Sequence, residues 1–236
     1  MSTAASDEYV RWSADGLPLA VEYSSAVMQD IRAAVMDGYY KIPHGGIEVG
    51  GVLYGRARGG VVRIEAHRPL ACEYAAGPSF VLSERDRATL AGMLAGVPAD
   101  EGLRKTVPVG WYHSNNRSEI RLSEEDLEIH RTFFPERWQV CLVLRPERTK
   151  PVRAGFFLRG SDGTMSVGAS PCEFTPAPAA RLKSPAPRAA TAVEPGPGAG
   201  YPTARGKRRI VAFAVAALLL LIGFFTGVVV TLIFWR

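Results

Sequence analysis

Apolar and polar positions change their spacing several times between residues 17 and 174. Short apolar or alternating runs predict strands, and these runs lie at 19–23, 48–54, 61–67, 80–82, 107–113, 138–144 and 152–158. Apolar residues at helical spacing predict helices over 24–40, 83–94 and 123–134, each beginning at a serine that can cap it. Strands interleaved with helices predict an α/β fold, with a mixed sheet flanked by helices in one domain of ordinary size.

The strand predicted over 48–54 carries two adjacent glycines, Gly50 and Gly51. Glycine inside a strand weakens the strand, and it often marks a place where another backbone comes close. A turn over 56–60 separates this strand from the next one at 61–67. This order predicts an antiparallel hairpin that begins just after Glu48.

The C-terminal end of the chain has the features of a membrane anchor. Residues 210–235 form a run of 26 residues without a charged side chain, and about 20 apolar residues span a bilayer core. Four basic residues precede the run, and one follows it; they are Arg205, Lys207, Arg208, Arg209 and Arg236. The positive-inside rule then predicts a single transmembrane helix with the N-terminal domain in the cytoplasm.

The first ten residues have no apolar core of a signal peptide. The Ala/Arg/Gly-rich composition, without organelle signals, suits a bacterial inner membrane. Membrane lipid around residues 210–235 is therefore the first predicted partner.

A spacer separates the predicted domain from the anchor. Residues 175–209 contain seven prolines with many alanines and glycines, a composition that cannot bury a core. We therefore divide the chain into an N-terminal extension (1–16), a domain (17–174), this linker (175–209) and the transmembrane helix (210–235).

Positive charge is concentrated behind the domain. The chain has a net charge of +5, but residues from 175 onward hold eight Lys or Arg against Glu194 alone. The preceding 174 residues therefore carry a charge of −2. A nucleic-acid-binding domain is disfavoured, since its basic surface should lie on the fold itself. The chain has three cysteines, Cys72, Cys141 and Cys172, and no two of them have the spacing of metal ligands. The odd number disfavours a disulfide framework, and the spacing disfavours a cysteine zinc site.

Candidate chemistry follows the apolar strand over 107–113. His113 ends this strand, and the helix that begins at Ser123 carries Asp126 in its first turn. A zinc hydrolase needs three protein ligands of nitrogen or oxygen type, an open position for water and a carboxylate base. His113 and Asp126 are candidates for two ligands, and Glu48 is the candidate base.

These residues resemble the JAMM (MPN-type, JAB-domain) metalloprotease family over about residues 17–160. That family's pattern is a glutamate on an early strand, then H-x-H, seven residues and S-x-x-D. Glu48, His113, Ser123 and Asp126 match it in order and spacing. The resemblance implies a deaminase-like mixed sheet, zinc held by two histidines and the aspartate, Glu48 as the base that activates water, and Ser123 as the group that stabilises the oxyanion.

The second histidine of the pattern is Asn115 in this chain, followed by Asn116 where the family commonly has proline. A neutral carboxamide oxygen is a poorer zinc ligand than imidazole nitrogen. We therefore predict a catalytically weakened or inactive homologue that binds a protein or peptide tail and acts as a scaffold, with a homodimer as one form. The alternative is an active zinc-dependent peptidase or isopeptidase acting on ubiquitin-like or small-protein tails. A third possibility is a domain that has lost its ancestral function.

Each residue also has a purely structural interpretation. Ser123 and Asp126 form a helix-capping pair without any metal, Glu48 can be a solvated charge, and His113 can donate to a backbone carbonyl. His130 lies four residues after Asp126 on the same predicted helix face. It is the possible substitute for the missing ligand, and His44 is a weaker one.

Overall fold

The computed structural model describes residues 8–43, 45–73, 80–165 and 167–176. The strands of this part, in chain order, are β1 (Tyr9–Trp12), β2 (Ala20–Ser24), β3 (Gly50–Arg58), β4 (Val61–Leu70), β5 (Val107–Ser114), β6 (Arg121–Leu122), β7 (Val140–Arg145), β8 (Arg153–Phe157), β9 (Gly168–Ala169) and β10 (Glu173–Phe174). Its α-helices are α1 (Ser25–Lys41), α2 (Glu84–Ala95) and α3 (Glu124–Phe133), and two short 3-10 helices follow α2 (Val97–Ala99 and Glu101–Leu103).

Within the described residues, eight of these strands form one mixed sheet in the order β1-β2-β4-β3-β5-β7-β8-β10. The β2–β4 and β5–β7 pairs are parallel, and the other neighbours are antiparallel. β6 and β9 form a separate two-stranded ladder. The predicted α/β class with a mixed sheet is confirmed at this level, and so is the antiparallel β3–β4 hairpin.

The sheet is covered on both faces, which explains its apolar strands. Successive residues of β7 alternate between two hydrophobic clusters, with Leu142 on one face and Cys141 and Val143 on the other. α1 packs Met28, Ile31 and Val35 into the first cluster. α2 and α3 pack into the second, and Cys141 is fully buried there.

The helix starts agree with the predicted serine caps. Ser24, Ser83 and Ser123 each accept a hydrogen bond from a backbone N–H of the first turn. For α2 and α3 the bond is reciprocated by an aspartate, which completes a capping box.

Two segments differ from the prediction. Residues 80–82 were predicted as a strand, but they form a loop: Phe80 and Leu82 pack into the second cluster, Val81 is exposed, and the segment pairs with no strand of the described residues. Tyr9–Trp12, which lies inside the predicted extension 1–16, pairs with β2 as an edge strand.

The predicted transmembrane helix 210–235, its basic flank and linker residues 177–209 lie outside the described residues. None of the helices in the described part of the chain is long and apolar enough to cross a membrane.

Candidate functional site

The chain order β5–α3–β7 brings the end of one strand next to the start of a helix. β5 and β7 are parallel neighbours, and α3 provides the crossover that parallel strands require. His113, near the end of β5, therefore lies close to Asp126 in the first turn of α3.

β3 brings Glu48 to the same place from the other side of β5. Gly50 lies opposite His113 in the antiparallel β3–β5 register. Just before β3, Val49 donates its N–H to the Ser114 hydroxyl (3.0 Å) and accepts from the Ser114 N–H (2.7 Å). These bonds hold Glu48 beside the loop that follows β5.

The glycine pair permits this close approach. A Cβ on Gly50 would collide with the Phe80 ring, and one on Gly51 would collide with the Arg68 carbonyl oxygen. Both residues are therefore required by packing, as the prediction of a close backbone approach implied.

Aromatic rings fix the imidazole of His113. The ring stacks on Trp111 at a centroid distance of 5.0 Å and on Phe80 at 5.2 Å. His113 Nδ1 lies 3.3 Å from the Ser114 carbonyl oxygen, and because a carbonyl only accepts, Nδ1 is the donor. In the neutral ring Nε2 then carries a lone pair.

The Nε2 atom of His113 faces the Asp126 carboxylate at 3.5 Å from Oδ1. The two residues are 2% and 4% exposed, and Nε2 has no hydrogen-bond partner in the described part of the chain. Two lone-pair atoms this close repel unless a proton or a cation lies between them. The pair can therefore share a proton or act as two ligands of one cation.

Asp126 performs two roles with its two oxygens. Oδ2 accepts from the Ser123 N–H (2.8 Å) and hydroxyl (2.9 Å), while Asp126 donates its own N–H to the Ser123 hydroxyl (3.1 Å). The structural interpretation of this pair as a helix cap is therefore correct, and it leaves Oδ1 for His113. The Asp126 side chain is thus both a capping partner of Ser123 and a candidate metal ligand.

Glu48 is buried, with 2% of the residue exposed, so it is not a solvated charge. Its Oε1 accepts from the Asn116 N–H at 3.1 Å. Burial raises the pKa of the Glu48 carboxyl, and the neighbouring Asp126 adds to the rise, while the Asn116 hydrogen bond and His113 oppose it.

Asn115 lines the site, but its carboxamide is bonded into its own loop. Oδ1 accepts from the Ser118 N–H (3.1 Å), and Nδ2 donates to the Glu119 carbonyl (3.3 Å). These local bonds from a side chain to the backbone stabilise the loop. The position that the family pattern gives to a second histidine therefore holds a loop-stabilising amide.

The neighbouring Asn116 ties this loop to the segment before β3. Its Nδ2 donates to the carbonyls of Gly45 and Ile47, both at 2.8 Å. The side chain and backbone of Asn116 together fix Glu48 relative to His113. Asn116 stands where the family pattern commonly has proline, and its role here could not be predicted from the sequence, because its partners lie about 70 residues earlier in the chain.

These side chains surround one cavity of about 390 Å³, here called the His113 cavity. Apolar walls come from Phe80 and Val167, and polar groups make up the rest. The polar lining residues are Glu48, His113, Asn115, Ser118, Arg121, Ser123, Glu124 and Asp126. Phe80, Ser118, Arg121, Glu124 and Val167 carried no sequence signal for this site, because the fold alone brings them here.

His130 does not line this cavity. Its Nδ1 accepts from the Trp111 indole N–H at 3.2 Å, and 1% of the residue is exposed. Burial lowers the pKa of His130 to about 3, with a further contribution from Arg159. The imidazole is thus a neutral hydrogen-bonding group of the second cluster, while the weaker candidate His44 lies outside the described residues.

Zinc would find two of three ligands here. Bonds of about 2.1 Å in tetrahedral geometry separate two ligand atoms by about 3.4 Å, close to the 3.5 Å between His113 Nε2 and Asp126 Oδ1. The third ligand is lacking: in the part of the chain that the structure describes, no three His, Cys, Asp or Glu side chains group around a common point as a metal requires. The described residues therefore supply two of the three protein ligands that a zinc site requires.

Comparisons with known proteins add a structural likeness. No family model matches the chain. No curated protein matches it. Among solved structures, the chain is similar to the solution structure of protein DSY2949 from Desulfitobacterium hafniense, with 20% sequence identity, a TM-score of 0.42, and coverage of 63% of this chain and 89% of that one.

Proposed function

We propose that this chain is a catalytically silent relative of the JAMM/MPN-type metalloproteases that works as a binding module. The supporting observation is the His113 cavity, in which a base and two ligands are assembled while Asn115 is bonded into its loop. A fold that keeps its cavity after losing its chemistry is suited to capture a partner. The partner we propose is a protein or peptide tail, of ubiquitin-like or other small-protein origin.

We further propose that the binding module is tethered to the cytoplasmic face of a membrane. The uncharged run 210–235 and the basic residues before it support this location. The proline-rich linker gives the domain reach from the membrane surface. A bacterial inner membrane and a homodimer remain parts of this proposal.

An active zinc peptidase is the second candidate function, and a specific observation favours it. Glu48 is a buried carboxylate with a raised pKa next to His113 and Asp126, and a general base works best when its pKa approaches the working pH. The separation of His113 Nε2 and Asp126 Oδ1 also suits zinc. Against it stands the third protein ligand that catalytic zinc sites normally have, which the described residues do not supply.

A cleavage assay separates the two candidates. Full-length wild type and Glu48→Gln are incubated with quenched-fluorescence peptides and with isopeptide-linked ubiquitin-like tails, with and without a chelator. The binding module predicts equal background rates for both proteins and no effect of the chelator. Chelator-sensitive cleavage that Glu48→Gln abolishes would establish the peptidase instead.

A further inference from the structure

A second cavity of about 210 Å³ lies between α3 and the turn after β8. Its lining is formed by Leu127, His130, Arg131, Arg159, Thr164 and Met165, together with Gly163. We call it the arginine cavity. None of its lining residues belongs to the His113 cavity.

Positive charge gathers around the arginine cavity, and no carboxylate lines it. Arg131 and Arg159 line it, and Arg137 lies beside its turn, donating from Nη2 to the Ser161 carbonyl at 2.8 Å. In the part of the chain that the structure describes, none of these three guanidinium groups forms an ion pair. Burial and the two neighbouring arginines lower the pKa of Arg159, with Glu136 opposing, which indicates a positive local potential.

Two carboxylates lie nearby, those of Glu136 and Asp162, and neither lines the cavity. Asp162 accepts from the Thr164 N–H (2.9 Å) and hydroxyl (2.8 Å) within the turn. It is absent from the cavity lining, whose charged side chains are both basic. A ligand with negative charge would therefore meet no acidic group at the wall.

Arg159 is held in a fixed position. Nη1 donates to the Glu136 carbonyl (2.6 Å) and Nη2 to the Phe134 carbonyl (2.9 Å), and a guanidinium has further N–H donors for a ligand. His130 also lines the cavity. Its Nδ1 accepts from Trp111, so in the neutral ring the proton is on Nε2, a buried atom without a hydrogen-bond partner in the described residues. Preorganised donors of this kind lower the cost of binding.

We propose that the arginine cavity binds a phosphate-type oxyanion. The planar guanidinium fork matches phosphate oxygens, and the cavity is smaller than a drug-sized ligand requires. The phosphate group belongs either to free phosphate or to a phosphorylated lipid headgroup. This proposal does not depend on whether zinc binds in the His113 cavity.

Calorimetric titration of the full-length chain with inorganic phosphate tests the proposal. Wild type, solubilised in a neutral detergent, is expected to bind about one phosphate per chain. Arg131→Gln should weaken the affinity about tenfold, since one charge-assisted hydrogen bond is lost. Arg131 is exposed and makes no ion pair that would be needed for folding.

Arg148→Gln is the matched control, because it removes the same charge at an exposed arginine that lines a different cavity with Tyr39 and Tyr40. It should leave phosphate affinity unchanged. Absence of binding by wild type, or equal affinities of wild type and Arg131→Gln, would overturn the proposal.

A second titration identifies the source of the phosphate group. Water-soluble short-chain phosphatidic acid replaces inorganic phosphate in the same experiment. Tighter, Arg131-dependent binding of the lipid assigns the site to a lipid headgroup, while equal Arg131-dependent binding assigns it to free phosphate. Binding of the lipid that Arg131→Gln does not weaken contradicts the site.

Discussion

Two buried histidines contact the Trp111 indole in different ways. His113 stacks on the ring and turns Nε2 toward Asp126, whereas His130 accepts the indole N–H and faces no carboxylate in the cavity that it lines. The same side chain therefore serves as a candidate ligand in one place and as a neutral packing group in the other. Sequence spacing could not distinguish them, because the i, i+4 relation fixes a helix face but not which neighbour the ring contacts.

His130 should make the protein less stable in acid. Its pKa is about 3 in the folded chain against an ordinary value of 6.5, so the unfolded chain binds the extra proton first as the pH falls. The stability is fully present above about pH 6.5 and falls by about 1.4 kcal/mol per pH unit below it, until the pH reaches the folded pKa. His130→Asn retains an acceptor for Trp111 but does not titrate.

Chemical denaturation of wild type and His130→Asn between pH 7.5 and pH 4 tests this expectation. The free energy of unfolding of wild type should fall more steeply than that of the variant. Parallel curves would show that the pKa of His130 is the same in the folded and unfolded states.

The α2 and α3 helices begin with the same capping box, built from Ser83 with Asp86 and from Ser123 with Asp126. The local geometry is closely similar, with the serine hydroxyl accepting at 3.1 Å in both cases. The S-x-x-D pattern is therefore a helix start in itself. Its link to chemistry comes only from His113, which lies beside the second box.

Ser83→Ala and Ser123→Ala should each destabilise the fold by about 1 kcal/mol, the usual cost of losing a serine cap. Ser83 is the matched control, because its helix start lacks a facing histidine. Equal losses in thermal or denaturant unfolding are expected. A much larger loss at Ser123 would mean that its hydroxyl supports the His113–Asp126 pair beyond capping.

The glycines of β3 test how closely the strands approach one another. Gly51→Ala should destabilise the protein by about 1–3 kcal/mol, the range for overpacking, since the added methyl group meets Tyr112 at 2.8 Å and the Pro69 backbone at 2.9 Å. Gly92→Ala is the control in α2, where a methyl group meets nothing within 4 Å. It should stabilise the protein by up to about 1 kcal/mol, and a neutral effect of Gly51→Ala would contradict the packing around β3.

The long elements were predictable from sequence, and the short ones were not. Capping residues, a turn or a regular spacing of apolar residues mark α1, α2, α3 and the β3–β4 hairpin. β6, β9 and β10 are two residues long, too short for a period, and they exist because a partner strand is near. The loop over 80–82 shows the converse, since Phe80 and Leu82 are buried there without pairing to a strand.

The candidate site was predictable in part. His113 and Asp126 follow from strand and helix ends, but the proximity of Glu48 came from the family resemblance and needed the β3–β5 register to be seen. Asn116 and Phe80 contribute through partners distant in sequence, so no local pattern marks them.

At the scale of the whole molecule, a spacer connects the proposed binding domain to a membrane. The domain carries a charge of −2 over residues 1–174, and the basic residues collect next to the predicted span. The proposed localisation therefore rests on where the charged residues and the long apolar run lie along the chain. The partner would be met at the membrane surface.

Removing residues 210–235 should release the protein from membranes. Fractionation of cells that express full-length and truncated chains measures this, with full-length protein expected in the membrane pellet and truncated protein in the supernatant. Replacing the four basic residues before the span by serine should reduce the fraction whose domain is cytoplasmic in a protease-protection assay. Full-length protein in the supernatant would contradict the anchor.

The most direct test of the central claim is the zinc content of the full-length chain purified without a metal-affinity tag, compared with Asn115→His. Elemental analysis should find wild type well below one zinc per chain and the variant near one, because a catalytic zinc site uses about three protein ligands. About one zinc per chain in wild type would contradict the account and require a third ligand that the chain supplies despite Asn115.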